Sequence, residues 1–425
     1  MVHSVMPDAK VLQAAVDRLN AGAFGEAATL YGRAIGADIN DEDAWRGLVL
    51  ALALQRQIGA IIALADKREA LRGDGFAFFN DAATLLLSYN LRAHAVELDR
   101  VLPGDSPYKA SSLYYAGCVQ LFEGDEDAAF ACFARLKPIL AERREQLPIA
   151  SEDRFNIAYR QATLIEDSAY VDGLDRQALA EKAELPRIQW HAEPARGTAG
   201  FTLLAACDAR YFALFAPRFL DSVEAQAEGI GVHLHVAAAD DDSEALARRL
   251  AGSMRRNVLS FSTEPASRHA GGAYYSSCRF LLAAQARARV TQPLMITDID
   301  IAFTRSPRDI AAVARPFDFA SFEHEGFGPC SRLPAVLTWF GAGDEGTAAL
   351  DALGAFILSK LHVPWPWNWM LDQAGLMALR RWLRQRRPGA AVGCLNEALG
   401  GSFDKVLVCL GDEDQKAALI RSAAS

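Results

Sequence analysis

The sequence predicts two architectures in succession: an α-helical array, then an α/β domain whose sheet is flanked by helices. Three observations predict this. Helix-like patterns recur at about 34 residues over the first third of the chain, the length of a two-helix repeat unit. From Phe201 onward short apolar runs alternate with helical stretches, the texture of a mainly parallel sheet covered by helices. One of those runs, Pro293 to Thr297, leads directly into Asp298-Ile299-Asp300, which places two carboxylates where α/β sheets bind their ligands.

The composition fits this plan. A chain of 425 residues exceeds one ordinary core, and 51% apolar with 23% charged residues is a globular balance. A net charge of −9 argues against general affinity for nucleic acid or anionic membrane, which need clustered Lys and Arg. Seven scattered cysteines without a C-x-x-C pair are expected as small core residues of a reduced protein, not as zinc ligands or disulfides. Met1 to Lys10 lacks a signal-peptide core, and Leu48 to Ala65, the most apolar stretch, is interrupted by Gln55, Arg56 and Gln57. No transmembrane segment is therefore expected, and the setting read from this is cytoplasmic and bacterial.

Residues 1–145 read as helix pairs whose frames begin near Asp8, Glu42, Phe76 and Ala110. In the first frame Gly22 to Ala28, followed by Tyr31 and Ala34, has the small-residue and aromatic spacing that lets helices cross closely. The second carries Trp45 and Leu48. The fourth carries Leu113, Ala116 and Gly117, then Gly124 to Ala129 and Phe133. This half resembles tetratricopeptide repeats, although Tyr and Pro positions of that pattern are missing in places; the resemblance implies a surface for a protein partner or for self-association. An irregular helical bundle is the alternative.

Residues 146–199 are expected as a helical extension and linker. Phe155, Ile157, Tyr159, Ala162 and Ile165 fall near helical spacing, and Pro186, Pro194, Gly197 and Gly200 mark the boundary. In the domain from 200 to 425, Phe201 to Cys207 and Val232 to Ala239 read as strands, with helices over Pro217 to Glu228 and Arg279 to Arg289.

The carboxylate pair carries the chemistry. In extended backbone residues i and i+2 share a side, so Asp298 and Asp300 can converge on one cation. A divalent ion held by two carboxylates keeps positions free for a diphosphate. Asp-x-Asp at the end of an apolar strand also occurs in aspartyl-phosphate phosphatases, but their motif opens the domain, whereas this one lies nearly 100 residues into it.

Three ordered blocks surround the pair. Ala205 to Phe212 with Phe219 to Val223 and Val232 to Val236 resembles the opening strand-helix-strand of GT-A-fold glycosyltransferases, a Rossmann-like fold that uses nucleotide-diphosphate sugars. Tyr274 to Phe280 resembles their approach to the metal motif, and Trp367 to Leu376 their late Asp-Gln helix. The resemblance implies a metal-dependent glycosyltransferase acting on a nucleotide-diphosphate sugar and an unidentified acceptor. It implies Asp208 and Tyr211 against the nucleobase and ribose, and Arg279 at the diphosphate. Asp298 and Asp300 would hold Mn²⁺ or Mg²⁺, with Asp298 also reaching the substrate. Asp372 and Gln373 would be catalytic, facing the sugar or the acceptor hydroxyl. Trp365, Trp367 and Trp369 could stack on sugar.

Bland readings stand beside these. His233 and His235 share a strand face and are expected to pack against the sheet instead of binding metal. Asp372 could cap a helix, Arg279 could pair with a local carboxylate, and Tyr211 could be an aromatic opening a helix. No histidine follows His362 to supply a third metal ligand, which leaves Asp404 or water. A non-catalytic repeat scaffold with a degenerate transferase domain is the competing class, followed by the phosphatase.

Overall fold

The structure, a computed structural model, describes residues 9–142, 161–194, 197–324, 328–363 and 367–411. The chain divides into two compact units, Met1–Tyr159 and Arg160–Ser425.

The first unit contains helix hairpins. Their first helices are α1 (Ala9–Asn20), α3 (Glu42–Leu54), α5 (Gly75–Ser88) and α7 (Lys109–Phe122). Their second helices are α2 (Phe24–Ala37), α4 (Ile58–Arg72), α6 (Arg92–Val101) and α8 (Glu126–Glu142). The first helices start within two residues of the expected frames. Asp41 caps α3 by accepting from Ala44 N at 2.9 Å, and Gly73, in the left-handed region, ends α4. Small residues on the first helices admit aromatics from the second. A Cβ on Gly47 would strike the Tyr31 ring, and one on Gly117 would lie 2.6 Å from Phe133.

The second unit is built on a mixed sheet of eight strands. They are β1 (Gln189–Trp190), β2 (Thr202–Asp208), β3 (Gly231–Ala237), β4 (Val258–Thr263), β5 (Leu294–Thr297), β7 (Phe319–Ser321), β8 (Leu337–Phe340) and β9 (Val392–Cys394), in spatial order β1-β4-β3-β2-β5-β8-β7-β9. The four central strands β4, β3, β2 and β5 run parallel, whereas β8 is antiparallel to both its neighbours. β2 and β3 are buried nearly end to end, as strands covered on both faces must be. A separate antiparallel ribbon joins β6 (Ile301–Phe303) to β10 (Leu407–Cys409). Cys409 on that ribbon is exposed, a departure from the expected core role, because the ribbon has only one strand on either side of its ladder.

Helices α11 (Ala209–Gln226), α12 (Asp241–Ser253), α13 (Gly272–Ala286), α14 (Pro307–Ala314), α15 (Asp344–Lys360), α16 (Leu371–Arg386) and α17 (Leu395–Leu399) complete the unit, after α9 (Ser168–Asp172) and α10 (Arg176–Ala183). Of the segment read as extension and linker, residues 161–194 pack inside this unit. Tyr170 donates to Ser359 Oγ at 2.9 Å, Trp382 Nε1 to Asp172 at 2.7 Å, and β1 pairs with β4. Most of Phe155 to Ile165 falls outside the described residues; Ala162–Leu164 is a short 3-10 turn. Gly197 passes so close to Gly229 and Gly231 that a Cβ there would collide with their backbone.

Candidate functional site

The parallel strands deliver their carboxyl ends to one edge of the sheet. Asp208 lies beside Ala237, Val236 beside Thr263, and Ala205 beside Thr297. Asp208, Glu264 and Asp298 therefore emerge at the same edge, the position at which open α/β sheets take ligands. The backbone is strained there: Ala238, just past β3, and Met370, just before α16, both have positive φ without being glycine.

Asp298 and Asp300 occupy the bend between β5 and β6. Both are half-buried while Ile299 between them is 3% exposed, and both carboxylates lie within electrostatic reach of Tyr211 and Arg279. Main-chain bonds fix the bend. Asp298 N donates to Val336 O at 3.1 Å, and Leu410 N donates to Asp300 O at 2.6 Å. Two hard oxygen donors suit Mg²⁺ or Mn²⁺, which commonly take one or two carboxylates and fill the rest with phosphate oxygens and water. No group of three or more His, Cys, Asp or Glu side chains able to hold a metal occurs among the described residues. The donor set fits a cation completed by its substrate. Asp404 instead accepts from Ser402 in a short 3-10 turn.

Arg279 lies beneath this pair on α13, 3% exposed. Its Nη1 meets Asp298 Oδ1 at 2.6 Å, and its Nη2 meets Asp372 Oδ2 at 2.9 Å and Ala335 O at 3.2 Å. Asp372, 4% exposed, also accepts from Gln373 N at 2.8 Å. Burial pushes the Asp372 carboxyl up from its usual range, with the Arg279 charge pulling the other way. The helix cap is Met370, so Asp372 sits within the first turn of α16 and does not cap it. Gln373 and Trp369 are half-exposed, and Trp365 lies outside the described residues.

Asp208 caps α11, its Oδ1 accepting from Arg210 N at 2.8 Å and Tyr211 N at 3.0 Å. The half-buried Tyr211 packs on Phe215, ring centroids 5.1 Å apart. Burial raises its phenol, and the charges of Asp300, Asp208 and Asp298 raise it further. His233 and His235 are buried and bonded to Ser260 and Ser262, as packed strand histidines should be.

No protein-family model matches the sequence, and no curated protein matches it. Several solved structures of glycosyltransferases are similar to the chain. GlyE of Streptococcus pneumoniae TIGR4 in its apo form shows 14% identity and a TM-score of 0.33, over 52% of this chain and 50% of that one. Mouse xyloside xylosyltransferase 1 shows 12% identity and a TM-score of 0.31, over 46% of this chain and 84% of that one. A mannosyltransferase from Pyrobaculum calidifontis, in complex with GDP-Man and Mn²⁺, shows 16% identity and a TM-score of 0.25, over 47% of this chain and 64% of that one. The chain spans about half the length of the pneumococcal protein. Residue roles rest on this chain's own contacts.

Two residues at the edge escape sequence reasoning. Tyr275, half-buried on the first turn of α13, has its phenol raised by burial and then by Asp208, with Arg210 pulling the other way. Glu264 is 5% exposed at the end of β4. The adjacent Tyr274-Tyr275 doublet was the available signal for the first; nothing local marked the second.

Proposed function

We propose that this protein transfers a sugar from a nucleotide-diphosphate donor to an acceptor, with Mn²⁺ or Mg²⁺ held by Asp298 and Asp300. The observation that carries the reading is the shared guanidinium: Arg279 ties a carboxylate of the cation pair to Asp372 at the head of α16, inside the ligand-binding edge. A bound cation would neutralise charge on the departing diphosphate as a Lewis acid. In the transfer, the bond between the anomeric carbon and the diphosphate oxygen breaks, one to the acceptor oxygen forms, the nucleoside diphosphate leaves, and the acceptor's hydroxyl proton passes to water.

Each remaining residue has a part. Tyr211 and Asp208 border the donor's nucleoside, with Asp208 fixing the first turn of α11. Arg279 orients Asp298 from below, with its Nη1 and Nη2 engaged by Asp298, Asp372 and the Ala335 carbonyl. Asp372 acts as a positioning residue, because Arg279 and the Gln373 N–H already engage its two oxygens. Gln373 and Trp369, half-exposed beside it, meet the sugar. The helix hairpins serve a protein partner or self-association. No described helix is long and apolar enough to cross a membrane.

The test is incubation of the full chain with a panel of nucleotide sugars and Mn²⁺, following release of nucleoside diphosphate. Release from at least one donor supports the reading. Release from none, with phosphate freed from an aryl phosphate, favours the phosphatase.

A further inference from the structure

A line of buried polar side chains crosses β3 and β4 and ends at the ligand-binding edge. His233 Nδ1 lies 2.9 Å from Ser260 Oγ and its Nε2 lies 3.0 Å from Ser262 Oγ. Ser262 Oγ lies 2.9 Å from His235 Nδ1, and His235 Nε2 lies 3.6 Å from Glu264 Oε2. Tyr274 donates to Glu264 Oε1 at 2.7 Å. All six residues are at most 5% exposed.

One direction of donation gives every ring nitrogen a single role. Ser260 donates to His233 Nδ1, His233 Nε2–H to Ser262, Ser262 to His235 Nδ1, and His235 Nε2–H points at Glu264. The Ser260 hydroxyl also lies 3.2 Å from Val232 O, a second acceptor for the same proton. Glu264 is the terminus of this line and receives a further donor from Tyr274. Its main chain closes the end of the neighbouring strand: Glu264 N donates to Val236 O at 3.1 Å, and Ala239 N donates to Glu264 O at 3.0 Å across the strained Ala238.

Core packing alone does not require this arrangement, since apolar residues of similar volume commonly pack such a site as well or better. The line converges instead on the one helix that serves the candidate site twice. α13 carries Tyr274 and Tyr275 in its first turn and Arg279 further along. Tyr275 lies within electrostatic reach of Asp208 and Arg210, and Arg279 holds Asp298 and Asp372.

We propose that Glu264 is a positioning residue for donor binding: through the Tyr274 hydroxyl it fixes the first turn of α13 against the ends of β3 and β4, and so sets Tyr275 and Arg279 relative to Asp208 and Asp298. The inference rests on the proposed function, because it assigns the edge a nucleotide ligand.

The full chain and its Tyr274→Phe variant are titrated calorimetrically with GDP and with UDP in the presence of Mn²⁺, and melting temperatures are recorded without nucleotide. Tyr274→Phe removes the hydroxyl's hydrogen bonds to Glu264 and Ser267 and keeps the ring, so affinity for the diphosphate that binds is expected to fall ~10-fold. With a nucleotide sugar as substrate, KM should rise by a similar factor while kcat stays within about twofold of the parent, the split expected for lost binding. Glu264→Gln keeps the acceptor for Tyr274 and should bind closer to the parent than Glu264→Ala does. A merely structural pair would lower the melting temperature of Tyr274→Phe and leave affinity and KM unchanged, which overturns the proposal. If Tyr274→Phe fails to fold, equal affinities in Glu264→Gln and Glu264→Ala overturn it. If the parent binds neither nucleotide, the reading of function fails and this inference falls with it.

Discussion

Arg279 meets Asp298 at 2.6 Å from a position 3% exposed, while Asp298 itself keeps 30% of its side chain in solvent. One end of the pair is core and the other is site. The same guanidinium reaches the buried Asp372, so the charge balance of the core depends on a residue that also sets the cation carboxylate.

Removing that charge should therefore cost stability as well as function. Arg279→Met leaves Asp372 buried without its counter-ion, and breaking a buried pair in this way costs about 3–5 kcal/mol. Urea unfolding should show a loss of that size, and adding Asp372→Leu should recover most of it, because the uncompensated charge is gone. A single variant within 1 kcal/mol of the parent, on the scale expected for exposed pairs, contradicts the buried arrangement.

Asp372→Asn separates positioning from proton transfer. A general base normally supplies ~10²- to 10⁴-fold in rate at saturating substrate. The contacts of Asp372 predict a different outcome: a smaller loss in kcat, a raised Mn²⁺ requirement and a lowered melting temperature. Gln373→Ala should raise KM for the donor and leave the melting temperature near that of the parent. A kcat loss above 10³-fold in Asp372→Asn with an unchanged Mn²⁺ titration would make Asp372 the base.

His233 gives a pH prediction with a definite sign. Burial, then His235, lowers its pKa from 6.5 to about 3. The unfolded chain takes up this proton first, so the contribution is complete above pH 6.5 and is lost as pH falls toward 3. At ~1.4 kcal/mol per pH unit, going from pH 7 to pH 5 removes about 2 kcal/mol. Urea unfolding at both pH values should show that the parent loses about 2 kcal/mol more than His233→Gln does. Equal losses in the two proteins contradict a neutral buried ring.

In the helical unit, Gly117→Ala sets two effects against each other. Alanine gains about 1 kcal/mol in helix propensity, while overpacking a tight contact costs about 1–3 kcal/mol. The new Cβ would lie 2.6 Å from the Phe133 ring, so the clash should win and the unit should melt earlier. A raised melting temperature would show that Phe133 moves aside freely.

The sequence carried the periodic features well. The 34-residue repeat located the hairpins through Trp45, Leu48 and Gly117, because close helix crossing needs small and aromatic residues at fixed positions. The apolar strand before Asp298 was legible for the same reason. Contacts between distant residues were not. Tyr170 and Ser359 are 189 positions apart, and the Arg279–Asp372 contact spans 93. Composition placed a linker where β1 pairs with β4, since two-residue strands leave no pattern. Glu264 was invisible because its neighbours Pro265 and Ala266 announce a turn, not a buried carboxylate.

A cation-dependent nucleotide site at Asp298 and Asp300 shows itself in nucleoside-diphosphate affinity with and without Mn²⁺. Calorimetric titration of the full chain and of the Asp298→Asn/Asp300→Asn variant with GDP and UDP is the measurement. The double substitution keeps size and removes the charge that holds the ion. The parent should bind in Mn²⁺, bind at least ~10-fold more weakly when the metal is chelated, and the variant should show the same weak binding whether or not Mn²⁺ is present. Equal, Mn²⁺-enhanced affinity in parent and variant would contradict it.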